Sequence, residues 1–359
     1  MDERLDRRIR ELPPQAVHPV IRKIAEIDEC RGWWHGREPP PPSILGRIKR
    51  RVVVGSAGAS TRVDGRGLTL AETEALLRGA PPGAPGTRGA PLVAGYAELL
   101  RAVFDRHREM RFGQDLILSF HARLFRHAGG DPACRGVYRT ASDPGSAPRS
   151  GGPEAVALRP AEPQRIPGEM QEAIRWTSSR LASPGFHPLL VVAGFLLEFL
   201  AIRPFSDGNG RLSRILANLL LLQCGYSYMP YASLDRAIAE RRTEYYLALR
   251  RSQSLRNLPR PDLGSWLGAF LDALRAQARE LRGTLEGRPG ESLLSENQLA
   301  VLALFGRHRE ITNRIACREL SLPRDTAKQV LNRLLELNLL QRAGVGRATR
   351  YRRVSPVSP

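Results

Sequence analysis

The chain has 359 residues, of which 42% are hydrophobic, and carries a formal net charge of +19. A chain of this length can form two or three domains with cores of their own. Its longest apolar run, residues 189–202, is interrupted by Glu198 and is shorter than the roughly 18 to 20 residues that cross a bilayer, so no membrane span is predicted. The charged N-terminus lacks the apolar core of a secretory signal, which predicts a cytoplasmic protein.

Nearly all of the basic residues are arginine, with lysine only at Lys23, Lys49 and Lys328. Such an excess of positive charge favours an anionic partner, either a phosphate-rich ligand or a nucleic acid. A GC-rich genome that encodes arginine in place of lysine explains the surface arginines outside the motifs equally well. The four cysteines are widely separated and form no Cys-x-x-Cys pair, so we expect reduced thiols rather than a zinc site or disulfides.

The first 50 residues are predicted to be a helical arm rather than a domain. Val20, Ile21, Ile24 and Ile27 recur at helical spacing, and the proline-rich sequence EPPPPS then interrupts the pattern.

Residues 51–282 are predicted to form a helical domain. Apolar residues recur at three- and four-residue spacing in residues 69–77, 94–107 and 115–127. Pro188–Ile202 is apolar on nearly every face, so we expect this helix at the centre of the core.

Two segments are too rich in glycine, proline and serine for helices. Residues 138–167 predict a long surface loop with room for a short hairpin, and long loops in compact domains are usually functional or disordered. After a further helical stretch at residues 232–274, the sequence GTLEGRPGES at residues 283–292 predicts a linker. A third, smaller domain is predicted at residues 293–355.

The sequence SDGNGRLSR, residues 206–214, has the features of a phosphate-binding loop. Gly208 and Gly210 allow their backbone N–H groups to approach an anion, and the helix predicted from Arg211 places those groups at its positive N-terminus. Arg211 and Arg214 are three residues apart, so both guanidinium groups can reach the same phosphates. Asp207 is suited to hold Mg²⁺ between phosphates. The alternative is an Asp-Gly-Asn-Gly turn with solvated arginines.

This stretch resembles the signature of Fic (Doc/Fic) domains, HPFx[DE]GNGRxxR. It matches from Pro204 to Arg214 and departs only at Arg203, where the family has histidine. The resemblance extends to His187-Pro188, to GVYRT at residues 136–140 and to SLDRAIAERRTEYY at residues 233–246, and so covers most of residues 50–280. It implies a mainly α fold, with a helical Fic-type core and a short β-hairpin flap.

The resemblance also implies an activity, the transfer of AMP from Mg·ATP to a hydroxyl group of a target protein. By this resemblance Asp207 coordinates Mg²⁺, and Arg211 holds the β-phosphate. The flap from Thr140 to Ile166 docks the target peptide by strand addition. The residues expected around the nucleotide are Phe205, which packs beneath the loop, and Gly208, Asn209, Gly210, Arg211 and Arg214.

The departure at Arg203 removes the general base that the family places there. Arginine stays protonated at any working pH and has no acceptor. Loss of a general base typically lowers the rate by about 10²- to 10⁴-fold, whereas binding can survive. Three outcomes stay open: a binding-only pseudoenzyme, a slow transferase with another base, or a site rebuilt for another reaction. Glu198 and His187 are conceivable substitute bases; alternatively, His187 caps its helix and Glu198 points to solvent.

The sequence STRVDG, from Ser60 to Gly65, resembles the inhibitory helix of many Fic proteins, [ST]xxxE[GN]. In the family the glutamate of this motif pairs with the second motif arginine, here Arg214, and blocks the γ-phosphate. The acid here is Asp64, which is one methylene shorter. We therefore expect an ion pair between Asp64 and Arg214 that restrains nucleotide binding; the alternative is an Asp-Gly turn at the end of a helix.

The C-terminal domain is predicted to be a winged helix-turn-helix. In its third helix Ala327, Val330, Leu331, Leu334 and Leu335 form an inward stripe, whereas Arg324, Lys328 and Asn332 recur every four residues on another face that could enter a major groove. Arg347 and Arg350 in the hairpin are placed to contact phosphates. The alternative is a basic face on a protein-docking module.

The sequence thus favours a Fic-domain protein that binds ATP, or a related nucleotide, with Mg²⁺ and has a degenerate AMP-transferase site. The alternative is a nucleotide-sensing, DNA-binding transcriptional regulator. The sequence leaves a homodimer open.

Overall fold

A computed structural model describes the chain at residues 2–64, 68–78, 89–129, 132–140, 160–254, 263–286, 296–336, 339–344 and 349–354. The chain divides into two compact units, Met1–Leu281 and Arg282–Pro359.

Helices make up the first unit. They are α1 (Asp2–Arg10), α2 (Pro14–Gly36), α3 (Pro42–Val63), α4 (Leu70–Leu77), α5 (Ala90–Arg106), α6 (Gln114–Leu124), α7 (Ile166–Leu181), α8 (Pro188–Ile202), α9 (Asn209–Gln223), α10 (Leu234–Glu240), α11 (Arg242–Ser254) and α12, which starts in this unit and spans Gly264–Glu286. Short 3-10 turns occur at Pro132–Cys134, Pro163–Arg165 and Met229–Tyr231. The prediction of a mainly α fold is confirmed.

Helix α8 lies at the centre of this unit, with the bounds that the sequence predicts. Residues 191–199 are buried without interruption, and α7 and α9 pack against the helix. A helix with no polar face has to be enclosed on all sides. Within the described part of the chain, no helix is both long enough and apolar enough to span a membrane.

Glu198 is the acidic residue on α8, and the expectation that it points to solvent is wrong. Its side chain is fully buried, and its two carboxylate oxygens accept hydrogen bonds from Arg4 (2.7 Å) and Arg8 (3.1 Å) of α1. The Arg8 side chain is also fully buried. Glu198 therefore holds α1 against the core. Because two arginines already neutralise its carboxylate, Glu198 is not suited to replace the missing general base.

Residues 1–50, predicted to be an arm, lie within the first compact unit instead. Leu5 and Ile27 are fully buried. Lys23 of α2 pairs with Asp272 of α12 at 2.7 Å, and further ion pairs join these two helices. The sequence pattern shows one apolar face, but it does not show that this face packs on helices far along the chain.

Two segments predicted to be irregular are only partly described. Helix α12 continues to Glu286, so residues 283–286 of the predicted linker are helical, and residues 287–292 lie outside the described ranges. Of the loop predicted at residues 138–167, which was expected to contain a short hairpin, residues 141–159 lie outside the described ranges, and the loop ends earlier than predicted because α7 begins at Ile166.

The second unit has the element order predicted for a winged helix-turn-helix. It contains α13 (Glu296–Ala303), a 3-10 turn (Leu304–Gly306), α14 (Asn313–Leu320), α15 (Arg324–Glu336) and the antiparallel strands β1 (Leu340–Ala343) and β2 (Arg350–Arg353). Ile311 forms a β-bridge to Tyr351 of β2.

The buried and exposed faces of α15 follow the predicted pattern. Ala327, Val330, Leu331 and Leu334 are buried, and Leu335 is partly buried against them. Arg324, Lys328 and Asn332 are exposed. In β2, Arg350 is exposed and pairs with Glu310 at 3.1 Å; Arg347 lies outside the described ranges.

Candidate anion-binding site

The loop between α8 and α9 is closed by the side chain of Asn209. Its Oδ1 accepts a hydrogen bond from the Phe205 N–H (3.1 Å), and its Nδ2 donates one to the Phe205 carbonyl (2.6 Å). Asn209 is only 6% exposed. The expectation that Asn209 cradles phosphates therefore applies to its backbone N–H alone, because its carboxamide holds the loop in shape.

Gly208 starts α9 in a conformation that favours glycine. Its φ is 80°, in the left-handed region, and a Cβ at this position would lie 2.6 Å from the ring of Phe125. The carboxylate of Asp207 accepts hydrogen bonds from the Gly208 N–H (2.6 Å) and from Arg211 (3.0 Å). The backbone of Gly208 and the carboxylate of Asp207 thus lie together at the positive end of α9.

Arg211 is almost fully buried, at 1% exposure, and is incompletely satisfied. Its Nη2 contacts Asp207, its Nε lies 3.4 Å from Asp64 Oδ2, and its guanidinium group lies 5.3 Å from the ring centroid of Phe125. Its Nη1 and Nε are buried and make no hydrogen bond within the described residues. Buried donors without acceptors are unfavourable, so this guanidinium group fits an anionic ligand such as a phosphate.

Arg214 contacts Ser60 and Asp64, the first residue and the acidic residue of the predicted inhibitory motif. Its Nε donates to Ser60 Oγ (2.8 Å), and its Nη2 donates to the Ser60 carbonyl (2.8 Å) and to Asp64 Oδ1 (3.0 Å). The predicted ion pair between Asp64 and Arg214 is thus present. Gly65, the last residue of the motif, lies outside the described ranges.

The carboxylate of Asp64 lies between the two motif arginines. One of its oxygens faces Arg211 and the other faces Arg214. A Cβ added to Gly210 would lie 3.1 Å from Asp64 Oδ1, so the carboxylate also lies against the first turn of α9. The end of α3 therefore places an anion where the sequence predicts that phosphates bind.

A second carboxylate, that of Asp235, neutralises Arg214 from α10. It is 1% exposed, lies 3.3 Å from Arg214 Nε and accepts a hydrogen bond from the Tyr96 hydroxyl (2.6 Å). The sequence analysis did not identify this role. The available signal was that Asp235 lies in the stretch SLDR, which is part of the family resemblance.

His121 of α6 packs against the loop between α8 and α9. The sequence did not predict this role of His121. Its ring stacks on Phe205, with ring centroids 3.9 Å apart and planes 5° apart. Nδ1 accepts a hydrogen bond from the Gly136 N–H (2.9 Å), so Nε2 carries the proton and donates it to the Asp207 carbonyl (3.2 Å). Phe205 is buried, with its ring against that of His121.

Burial lowers the pKa of His121 from 6.5 to about 4. In the pH window between these two values the unfolded chain binds a proton that the folded chain does not bind, so stability decreases as the pH falls. We expect a loss of about 2 kcal/mol in the free energy of unfolding between about pH 7.5 and about pH 5 from this residue. Urea unfolding of the wild type and of His121→Gln at both pH values measures it, because the variant lacks the titrating group. Equal pH dependence of the two proteins would contradict the assignment.

His187 is a helix cap rather than a candidate base. Its Nδ1 accepts the Leu189 N–H (3.3 Å) at the start of α8, and its Nε2 contacts Asp28 of α2 (2.9 Å). The capping role is thus confirmed.

The donor set fits Mg²⁺ shared with phosphates. Across the described ranges, no cluster of three or more His, Cys, Asp or Glu side chains could hold a metal ion. Mg²⁺ usually binds one or two carboxylates together with substrate phosphates. The Asp207 carboxylate, which is 49% exposed at the start of α9, fits that role.

Several relatives resemble this chain in sequence. "Protein adenylyltransferase Fic" of Drosophila persimilis is 30% identical over 203 residues, which are 51% of this chain and 34% of that protein. The protein of the same name from Drosophila grimshawi is 28% identical over 244 residues, or 63% of this chain and 43% of the relative. The chain thus spans about a third of the length of the first of these relatives.

Solved structures share the fold. A Fic family protein from Desulfovibrio desulfuricans G20 has a TM-score of 0.60 and 22% identity, and the match covers 97% of this chain and 98% of that one. Fic-1 (residues 134–508) from C. elegans has a TM-score of 0.61 and 21% identity, covering 76% of this chain and 74% of that one.

The family model of the Fic/DOC family matches residues 111–221, which contain α6, α7, α8, α9 and the loop that carries Arg203 and Asp207. This match agrees with the relatives, with the solved structures and with the geometry at the start of α9. The chain therefore contains a Fic domain of the Fic/DOC family.

Proposed function

We propose that this Fic domain binds Mg·ATP, or a related nucleotide, at the N-terminus of α9, and that its transfer of AMP to a protein hydroxyl is weakened by Arg203. The observation that carries the proposal is the convergence of Arg211 and Arg214 on a single carboxylate, that of Asp64. Two buried guanidinium groups that already share one anion are suited to phosphates. The adenylyltransferase names of the Drosophila relatives support AMP transfer as the reaction.

Different residues of this chain would bind different parts of the nucleotide and its metal ion. The backbone N–H groups of Gly208, Asn209 and Gly210 lie at the positive start of α9 and would donate to the phosphates, the Gly208 N–H in exchange for its hydrogen bond to Asp207. Arg211 supplies donors that are buried without hydrogen-bond partners in the described structure. Asp207 would hold Mg²⁺, which neutralises charge between phosphates when it is bound.

Arg203 stands where the family resemblance places a proton acceptor. A guanidinium group cannot take the proton of an attacking hydroxyl group, because it is protonated throughout the working pH range. Glu198 is neutralised by α1, and His187 caps α8. We therefore propose that nucleotide binding is retained while transfer is slow.

Removal of the Asp64 carboxylate should increase nucleotide affinity. Asp64→Ala frees Arg211 and one donor of Arg214 for phosphate, so we expect the Kd for Mg·ATP to fall by roughly 10- to 100-fold, within the usual range for coupled sites. Calorimetric titration measures it. Glu109→Ala is a matched control, because Glu109 is exposed and its loss changes the net charge equally. Unchanged affinity in Asp64→Ala would remove the proposed inhibition.

A second candidate function rests on the exposed side of α15 in the second unit. Arg324, Lys328 and Asn332 are exposed there, and this composition suits contact with a DNA groove. A gel-shift assay with genomic fragments, with and without ATP, tests whether the protein is a nucleotide-sensing DNA-binding regulator. Absence of any shift at low salt argues against it.

A further inference from the structure

Arg203 has an unfavourable backbone conformation and a side chain without a partner. Its φ of 49° and ψ of 64° lie in the left-handed region, and Ser321 is the other non-glycine residue with positive φ in the described structure. The left-handed region favours glycine and, less strongly, asparagine. The Arg203 side chain is half-buried and makes no hydrogen bond, ion pair or ring contact within the described residues.

Arg139 holds this conformation in place through hydrogen bonds to the neighbouring carbonyl groups. Its backbone N–H donates to the Pro204 carbonyl (3.0 Å), and its guanidinium group donates to the carbonyls of Arg203 (2.8 Å), Ile202 (3.5 Å) and Ala161. These contacts satisfy carbonyl groups at the end of α8, which have no partner within the helix. Backbone strain of this kind persists when the surroundings determine it fully, and it occurs most often at functional sites.

The same segment is attached rigidly to the start of α9. Asn209 pairs with both backbone polar groups of Phe205, two residues after Arg203. The position of Arg203 is therefore fixed relative to the helix terminus that carries Arg211. The backbone of Arg203 is thus held in the loop that leads to this terminus, and its guanidinium donors, which have no partner among the described residues, are available to an anion bound there.

We propose that Arg203 is a third phosphate ligand of the site, beside Arg211 and Arg214, and that Arg139 is its positioning residue. This inference rests on the proposed binding of a nucleotide. The inference goes beyond that proposal, because Arg203 is assigned a contribution to nucleotide affinity in addition to the absence of a general base. The ligand class is a nucleoside polyphosphate, which the site retains with little turnover.

Arg203→Gly separates the role of the side chain from that of the backbone. Glycine adopts the left-handed conformation without steric cost, so the fold should be kept or stabilised. The guanidinium group is lost, and we expect the Kd for Mg·ATP to rise by about 10- to 100-fold, as for loss of a charge-assisted hydrogen bond. Arg203→Lys, which keeps the charge but not the two-pronged geometry, should fall between the wild type and Arg203→Gly.

Calorimetry with Mg·ATP is the measurement, and thermal unfolding of each variant accompanies it. Arg101→Ala is the matched control, since the Arg101 side chain is exposed and makes no hydrogen bond, ion pair or ring contact within the described residues. If Arg203→Gly binds within twofold of the wild type, Arg203 is not a phosphate ligand and the inference is overturned. If neither the wild type nor Asp64→Ala binds Mg·ATP, the proposed function itself fails, and the inference fails with it.

The role of Arg139 is tested by a double-mutant cycle with Arg203. Arg139→Lys should weaken Mg·ATP binding when Arg203 is present and should have little further effect in the Arg203→Gly background. A purely structural contribution of Arg139 would instead weaken binding equally in both backgrounds, which would overturn its assignment as a positioning residue.

Discussion

Arg203→His should raise AMP transfer by about 10²- to 10⁴-fold, the range that a positioned general base contributes. The histidine would occupy the place of Arg203 at the end of α8, where the backbone is fixed by Arg139. It would supply a neutral imidazole nitrogen that accepts the proton of an attacking hydroxyl group. Transfer of labelled AMP from ATP to the protein itself, or to a bait protein, measures the gain.

Arg203→Gly is the matched control for this experiment. It removes the same guanidinium group and supplies no base, so at saturating Mg·ATP transfer should stay as low as in the wild type. A gain in both variants would mean that the arginine obstructs the reaction and that no base is needed. No gain in an Arg203→His protein that is folded and binds ATP would mean that the site departs from a transferase at more than this residue.

Glu198→Ala should be strongly destabilising, with a loss of about 3 to 5 kcal/mol in the free energy of unfolding. The substitution removes the carboxylate that Arg4 and the buried Arg8 share, while the hydrogen bond from Arg8 to the Ser252 carbonyl (3.2 Å) stays in place. A buried guanidinium group that has lost a carboxylate partner is more costly than the intact ion pair. Urea unfolding at neutral pH measures the change.

Two further variants identify the source of this loss. Arg4→Ala should cost less, because the Arg4 side chain is 32% exposed and its removal leaves Glu198 paired with Arg8. Replacement of the buried pair by apolar residues of similar size, Arg8→Met with Glu198→Leu, should recover much of the stability. A loss below about 1 kcal/mol in Glu198→Ala would contradict the importance of this ion pair for the docking of α1.

The features predicted from the sequence depend on residues close together in the chain. The apolar character of residues 188–202 fixes a buried helix, and the spacing of Gly208, Arg211 and Arg214 fixes which groups meet at the start of α9. The pairing of Asp64 with Arg214 spans 150 residues and was still predictable, because a second motif carried it.

The features that the sequence did not predict depend on contacts without a motif. Glu198 meets α1 across 190 residues, and nothing in either segment specifies the other. His121 occupies a helix whose apolar spacing predicts packing but not a role for one polar side chain. Asp235 lies in the stretch SLDR, which resembles the family, but the resemblance does not show that this carboxylate meets Arg214. The side chain of Asn209 points back to Phe205 because the loop needs both of its hydrogen bonds, a local geometry that the family signature does not describe.

The contacts of Arg139 have a consequence for the tolerance of the chain to changes of sequence between residues 140 and 160. The guanidinium group joins Ala161 to the end of α8, and residue 139 itself hydrogen-bonds to Pro204. The residues that flank 140–160 on both sides, Arg139 and Ala161, are thus hydrogen-bonded to each other, and Arg139 is also hydrogen-bonded to the end of α8 and the loop after it. We expect changes of sequence between these two attachment points to leave the end of α8 and the start of α9 in place.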